Sequence, residues 1–379
     1  MIDMLLTIGL FLIVLGVLVC IHEFGHFIAA KWSGVRVDEF GFGFPPRIMG
    51  VTWRGTLYSL NSIPLGGFVR IKGIAGEQIE EVDPTKHEST AHRLHDADSF
   101  ASLSFLRKLL ILFAGIGMNI LLAWILFSLS FLIGVKAPVD SSYGKAFTSP
   151  IEVIVTTVRP DTPAARAGLQ VGDTLLTRNA QTIDEIQDIQ GFQAADTGKS
   201  IELEIASNNT KKTITIAPEN IQLDSGETYV GIGVGLAAIQ TIQYPPHLAV
   251  WNGAKETAQS IAAIFIGFGE IFSRIFTSES VTQDLAGPVG IAKITRGAAD
   301  LGLSSLLQFM ALLSANLAVF NLLPIPALDG GRIALTIITK IRRKPVSEKI
   351  ETIIHSIGFV LLMLLVVAVT FQDILKIAQ

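Results

Sequence analysis

Hydrophobic positions along this chain gather into four long runs. Met4–Ile21, Leu109–Val135 and Leu301–Leu328 contain no Asp, Glu, Lys or Arg, and Thr352–Gln372 contains only His355 as a titratable group. Each run is near or above the roughly 18–20 residues that a membrane-spanning helix needs. The pattern predicts four transmembrane helices. Between them the period changes. Gly34–Gly76 is rich in Gly, Pro and β-formers, and Phe40, Phe42 and Phe44 alternate with Gly41 and Gly43. This predicts short strands and hairpins, forming either a small soluble hairpin or one that dips toward the membrane with aromatics at the interface. Ile151–Leu236 reads as a strand, a Pro-Asp turn and a short helix, "PAARAGL", with Gly168 at its C-terminal end. The alternating runs "SIELEIAS" and "KKTITIAP" follow, joined through Asn208-Asn209 as a hairpin turn. The uncharged core between Lys255 and Arg274 is too short to span and predicts an interfacial helix.

The expected fold class is therefore a polytopic α-helical membrane protein with a membrane-associated β-hairpin region and an inserted, mainly β domain. The expected units are helix one (1–30), a β-hairpin region with a polar loop (31–105), helix two (106–135) and the inserted domain (136–245). Interfacial helices (246–300), helix three (301–343) and helix four with the C-terminus (344–379) complete the chain.

Composition agrees. Half of the 379 residues are hydrophobic and 16% are charged, against about 25% in an ordinary soluble domain. Mean hydropathy is +0.52. The net charge of −4 gives no footprint for nucleic acid, and the four apolar runs make the lipid bilayer the expected surrounding. Cys20 is the single cysteine, which excludes an intramolecular disulfide. No Lys or Arg precedes the first run, whereas Lys31 and Arg36 follow it, so this helix is expected to be retained with its C-terminal end in the cytoplasm. Arg47, Arg54, Arg70, Lys72 and the "KIRRKP" stretch at 340–345 sit in the other segments placed inside. The 136–245 domain and both termini are then extracytoplasmic.

Against this apolar background, "HEFGH" at His22–His26 needs a reason, because ionisable groups at membrane depth are costly. On a helix, His22 and His26 lie at i and i+4 on one face. Two imidazoles so placed can share one zinc ion, with Glu23 beside them as a general base. Coordination would offset the dehydration of the imidazoles. Cys20 lies roughly 160° around the helix from His22 and is not a candidate ligand. A catalytic zinc site takes a third protein ligand. The best candidate is Asp329 in "NLLPIPALDGGR", where Pro324 and Pro326 cannot sustain helix and Asp329-Gly330-Gly331 opens the next one. The polar loop Glu77–Ser99 holds His87, His92 and His95 near Asp96 and Asp98, a weaker arrangement for a second metal.

These motifs resemble the site-2 protease family of intramembrane zinc metalloproteases, and within it the regulator of sigma-E protease (RseP) type. "HEFGH" and "NLLPIPALDGG" resemble its two zinc motifs, and "IPLGGFV" and "GPVGIAKI" are further matches. "ARAGLQVGD" resembles a PDZ domain, present in one copy. The resemblance implies His22, His26 and Asp329 as zinc ligands and Glu23 as the catalytic base. It implies Asn316 and Asn321 as groups that hold the substrate backbone. It implies that Phe42 and Phe44 belong to a reentrant hairpin that receives substrate as an added strand. Gly231, Ile232 and Gly233 would line the PDZ peptide groove. The implied substrates are transmembrane proteins of the bacterial cytoplasmic (inner) membrane: an anti-sigma factor already cut outside, or signal-peptide remnants. The PDZ domain would meet peptide termini or ectodomains. Two departures stand out: "FAGIGMN" lacks a proline common in the family, and some relatives carry two PDZ domains. The rival readings are a membrane adaptor with a structural metal and a metal transporter.

Overall fold

The computed structural model describes residues 2–74, 97–139, 146–189, 192, 196–207, 210–222, 228–277, 287–344 and 346–378. The chain divides into two compact units, one of Met1–Ser130 with Ala249–Gln379 and one of Phe131–Leu248.

The first unit opens with helix α1, Ile2–Trp32. Two long antiparallel strands follow, β1 (Val37–Trp53) and β2 (Thr56–Ile71). The expectation was of short strands. Continuous strands of 17 and 16 residues form because the pair folds over itself through register shifts. Phe40 pairs with Val69 on one side and Tyr58 on the other, and Phe42 pairs with both Gly67 and Leu60. Its buried face is also the reverse of a simple hydrophobic reading. Val37, Glu39, Gly41 and Gly43 are buried, while Phe40, Phe42 and Phe44 are less covered. Gly41 faces the Phe68 ring so closely that a Cβ would collide with it. Glu39 is buried and is held by Ser59 Oγ at 2.6 Å, Arg70 at 3.2 Å and Arg47 at 3.4 Å. Such a cluster ties separate strand segments of the folded sheet together, since a buried carboxylate needs partners.

Helix α2, Phe105–Ile133, closes the first half of this unit. The second unit is mainly β. Strands β3 (Val135–Pro138), β4 (Phe147–Thr148) and β5 (Glu152–Val158) precede helix α3 (Pro163–Arg166), after which Gly168 takes a left-handed φ of +80°. Strands β6 (Thr174–Arg178), β7 (Gln181–Thr182), β8 (Ile201–Ser207) and β9 (Thr210–Ile216) follow. Strands β10 (Glu219–Gln222), β11 (Thr228–Gly231) and β12 (Val234–Gln243) end it. The main sheet runs β3-β12-β5-β6-β8-β9, and β10 pairs with β11 separately. Val153, Val155, Leu175, Leu203 and Ile205 supply the inward face of the alternating strands. β8 and β9 pair antiparallel; Asn208-Asn209, expected as their turn, lies outside the described residues.

The chain returns to the first unit through α4 (Pro246–Thr277), α5 (Pro288–Asp300), α6 (Leu303–Leu322), α7 (Asp329–Arg342) and α8 (Glu348–Ala378). The Lys255–Arg274 stretch is part of a single helix of 32 residues. Gly287 and Pro288 start α5, and the buried Asp373 of α8 accepts the Gly290 N–H at 2.7 Å. A carboxylate at a helix N-terminus satisfies an otherwise unpaired donor and opposes the helix dipole favourably. Among the described residues, four helical segments are long and apolar enough to cross a membrane: Asp3–Trp32, Phe105–Ile133, Leu303–Leu322 and Lys349–Lys376. The third apolar run reaches Leu328 in the sequence, but its helix stops at Leu322, ahead of the two prolines.

Candidate metal centre and active site

Small residues let α1 and α2 meet closely enough to build a site between them. A Cβ on Gly25 would strike the Ala114 carbonyl, and one on Gly115 would strike the His26 ring at Nε2. On α6, Ala311, Ala315 and Ala318 are buried, and Ser314 Oγ donates to the Asn119 carbonyl of α2 at 2.8 Å. Small residues and hydroxyl bonds of this kind are how helices associate in lipid.

The segment between α6 and α7 is shaped just as tightly. Gly330 and Gly331 lie against the Leu323 and Ile325 carbonyls, where any side chain would collide. Ala327 has a φ of +77°, a left-handed conformation that costs a non-glycine residue roughly 1–2 kcal/mol. Its N–H donates to His355 Nδ1 of α8 at 2.9 Å. Gly358, one turn along α8, leaves room for Pro326. These contacts fix the loop two residues before Asp329, the first residue of α7.

Three donor atoms converge as a result. His22 Nε2 and Asp329 Oδ2 are 3.0 Å apart, His26 Nε2 and Asp329 Oδ2 are 3.1 Å apart, and the two Nε2 atoms are 3.1 Å apart. Both imidazoles are buried, and their rings meet edge to face with centroids 4.7 Å apart. Four-coordinate zinc at about 2.0–2.1 Å from N or O donors sets those donors about 3.3 Å apart, close to this triangle.

The hydrogen-bond chemistry fits a cation independently. His26 Nδ1 lies 2.8 Å from the Ile111 carbonyl oxygen, so it must carry the hydrogen. The ring's Nε2 then faces a carboxylate oxygen and a second imidazole nitrogen. A metal ion among these three atoms would satisfy all of them at once, whereas a proton on one nitrogen would serve only a single pair. Among the described residues, His22, His26 and Asp329 form the one group of His, Cys, Asp or Glu side chains arranged to hold a metal. Gly115 keeps the adjoining volume open, since a methyl there would occupy it.

A cavity of about 330 Å³ opens beside the three donors. Glu23, Asn119, Asn321 and Arg332 line it with the donors, and Val19, Val69, Ile71, Ile74, Ile111, Leu112 and Leu317 give it apolar walls. Glu23 Cγ sits next to Gly67 of β2, so the sheet approaches this carboxylate without a side chain between them. The other residues singled out in the sequence lie elsewhere. Asn316 is off the cavity and donates to the Leu312 carbonyl one turn back at 3.0 Å. Phe42 rests its ring on Gly16 of α1, and neither it nor Phe44 lines the cavity. Gly231, Ile232 and Gly233 border a separate hollow of about 240 Å³ in the second unit, together with Tyr229, Ile189 and Phe192. The Cys20 backbone lies against Gly67, and its thiol is not among the three convergent donors. His87, His92, His95 and Asp96 lie outside the described residues. Asp98 forms an ion pair with Lys72 at 2.7 Å, whose hydrogen bond holds its carboxyl below the usual carboxylate range.

Three features of the site went unread in the sequence: Gly115, Asn119 and His355. His355 had a usable signal, being the single titratable residue in the fourth apolar run. Gly115 and Asn119 sit in "FAGIGMN", noted only for a missing proline.

The family model for peptidase family M50 matches residues 10–365. A Clostridium acetobutylicum protein whose name includes the words zinc metalloprotease is 33% identical over 360 residues, covering 95% of this chain and 94% of its own length. A Clostridium perfringens protein with the same words in its name is 35% identical over 365 residues, covering 96% and 97%. The Enterococcus faecalis protein named "Probable protease eep" is 31% identical over 438 residues, covering 97% and 98%. With a family match over nearly the whole chain, four helices of membrane-spanning length among the described residues and a His-His-Asp triangle whose two imidazoles are buried, this chain belongs to peptidase family M50, the site-2 protease family, and is a zinc metalloprotease.

Proposed function

We propose that the protein hydrolyses peptide bonds within the transmembrane segments of other membrane proteins. The observation that carries this reading is the placement of Glu23 and the three donors around one cavity between helices of membrane-spanning length. His22, His26 and Asp329 hold the zinc. When bound, zinc supplies Lewis acidity, drawing electron density from a peptide carbonyl and lowering the pKa of water toward about 7. Glu23 takes the proton of the attacking water and delivers it to the leaving amine. Asn321, on the cavity wall at the end of α6, pairs with peptide groups of the unwound substrate, and Asn316 guides the substrate along the same helix.

The hairpin supplies the strand that substrate joins. Both sides of Phe40–Phe42 are occupied, by Tyr58–Leu60 and by Gly67–Val69. We therefore place the added strand along Gly67–Arg70, which reaches the cavity at Val69, with Phe42 and Phe44 supporting the sheet behind it. Pairing of this kind holds a peptide extended, the conformation a protease needs.

The protein resides in the bacterial inner membrane. Lys31, in the last turn of α1 just beyond His26, supports a cytoplasmic position for the active-site end of that helix, and Lys340 and Arg342, at the end of α7 remote from Asp329, support a cytoplasmic position for the stretch that follows it, with both termini outside. The second unit is the extracytoplasmic PDZ domain. Its hollow at Gly231–Gly233 takes a newly exposed peptide end, or the domain bars bulky ectodomains. Substrates are membrane proteins shortened by an earlier cut, such as an anti-sigma factor, and remnant signal peptides.

The test uses purified protein in detergent with a transmembrane reporter. Cleavage inside the apolar segment is expected, lost on chelation and restored by added zinc. Binding of the reporter without cleavage would indicate an adaptor. Zinc flux into proteoliposomes without cleavage would indicate a transporter. Either result overturns the proposal.

A further inference from the structure

Asn119 is fully buried on α2, with its amide nitrogen 3.3 Å from His22 Nδ1 and its Oδ1 buried without a hydrogen-bond partner. Its own backbone is pinned, since the Asn119 carbonyl accepts the Ser314 hydroxyl of α6 at 2.8 Å. The side chain therefore cannot withdraw far from the His22 ring.

Ligation decides which end of the amide must face that ring. A His22 that gives its Nε2 lone pair to a metal carries its hydrogen on Nδ1. An amide N–H aimed at Nδ1 would then set two donors head to head and leave Oδ1 stranded. The two ends of a primary amide have the same shape, and half a turn about its terminal torsion exchanges them. With oxygen toward the ring, Asn119 accepts the Nδ1–H, and one hydrogen bond replaces a clash of donors.

We propose that Asn119 is a positioning residue for the metal centre. Its side-chain oxygen accepts a hydrogen bond from His22 Nδ1–H and so fixes that ring with Nε2 toward the zinc. The inference rests on the reading of His22 as a ligand. It gives the centre a symmetry of supports, in which the Ile111 carbonyl orients His26 and the Asn119 amide orients His22. Both supports come from α2, eight residues apart. Outer partners of this kind raise ligand basicity, and losing one typically lowers metal affinity about 10–100-fold.

The test measures zinc affinity of the purified full chain by competition with a chelator, beside the thermal midpoint of the zinc-free protein. Asn119→Ala is expected to bind zinc about 10–100-fold more weakly, with the zinc-free midpoint shifted no more than by Ser130→Ala, a buried hydroxyl on the same helix. Asn119→Asp, which keeps an acceptor and has no donor, is expected to restore affinity to within about threefold of wild type. Asn119→Ala binding zinc like wild type would overturn the inference, as would Asn119→Asp binding as weakly as Asn119→Ala. Wild-type protein that binds no zinc would sink the ligand assignment beneath it.

Discussion

Glu23→Gln protein is expected to cleave a transmembrane reporter about 10²–10⁴-fold more slowly, while still binding one zinc per chain. Glutamine matches glutamate in size and leaves His22, His26 and Asp329 untouched, so the donor triangle at 3.0–3.1 Å survives. It cannot accept the proton that the attacking water must lose. Glu23 follows His22 directly, about 100° around α1, and turns to the cavity wall next to Gly67. The proposed substrate pairing along Gly67–Arg70 would not use its charge, so KM should move little and the loss should fall on kcat. Cleavage within a few-fold of wild type, with zinc bound, would remove Glu23 from the chemistry.

The second large effect is steric. Gly115→Ala places a methyl group on the His26 Nε2 edge and against His22 Cε1, beside the point where the two Nε2 atoms converge. Neither helix can retreat easily. Gly25 packs on the Ala114 carbonyl, and Ser314 ties α2 to α6 through Asn119. Overpacking of this kind costs about 1–3 kcal/mol, so zinc affinity should fall by about 5–150-fold and activity with it. Gly117→Ala is the matched control. No atom lies within 4 Å of a Cβ at Gly117, and alanine favours helix over glycine by roughly 0.5–1 kcal/mol. Zinc binding should be unchanged there. Equal effects at the two glycines would mean that Gly115 matters for the helix and not for the metal.

What could be read ahead of the fold follows from the range of each interaction. The His22–His26 pair is one helical turn long, so its geometry is implied by spacing alone. The break before Asp329 follows from Pro324 and Pro326, which cannot donate to a helix, and α6 does end at Leu322. Neither inference needed a tertiary contact. Asn119 and His22 are 97 positions apart, and their encounter depends on how α1 and α2 cross. That crossing is set by Gly25 and Gly115, and glycine in an apolar run gives no periodic signal. His355 reaches Ala327 only because Gly358 lets α8 close on Pro326.

The burial pattern of the hairpin lay beyond the sequence for a related reason. Alternating Phe and Gly predicted strands, and did not say which residues the fold would cover. Burial follows Glu39, Gly41 and Gly43, because the strand is crowded on the side where Phe68 and Ser59 approach. A second neighbour for Phe40–Phe42 was not foreseeable from a pattern that reports one strand at a time.

Zinc-edge X-ray absorption on the purified full chain tests the central claim most directly. The account predicts one zinc per chain, two imidazole rings in its shell, and only N and O scatterers at about 2.0–2.2 Å. One imidazole should disappear in His26→Ala protein. A sulfur shell at about 2.3 Å from Cys20, or two imidazoles persisting in His26→Ala, would contradict it.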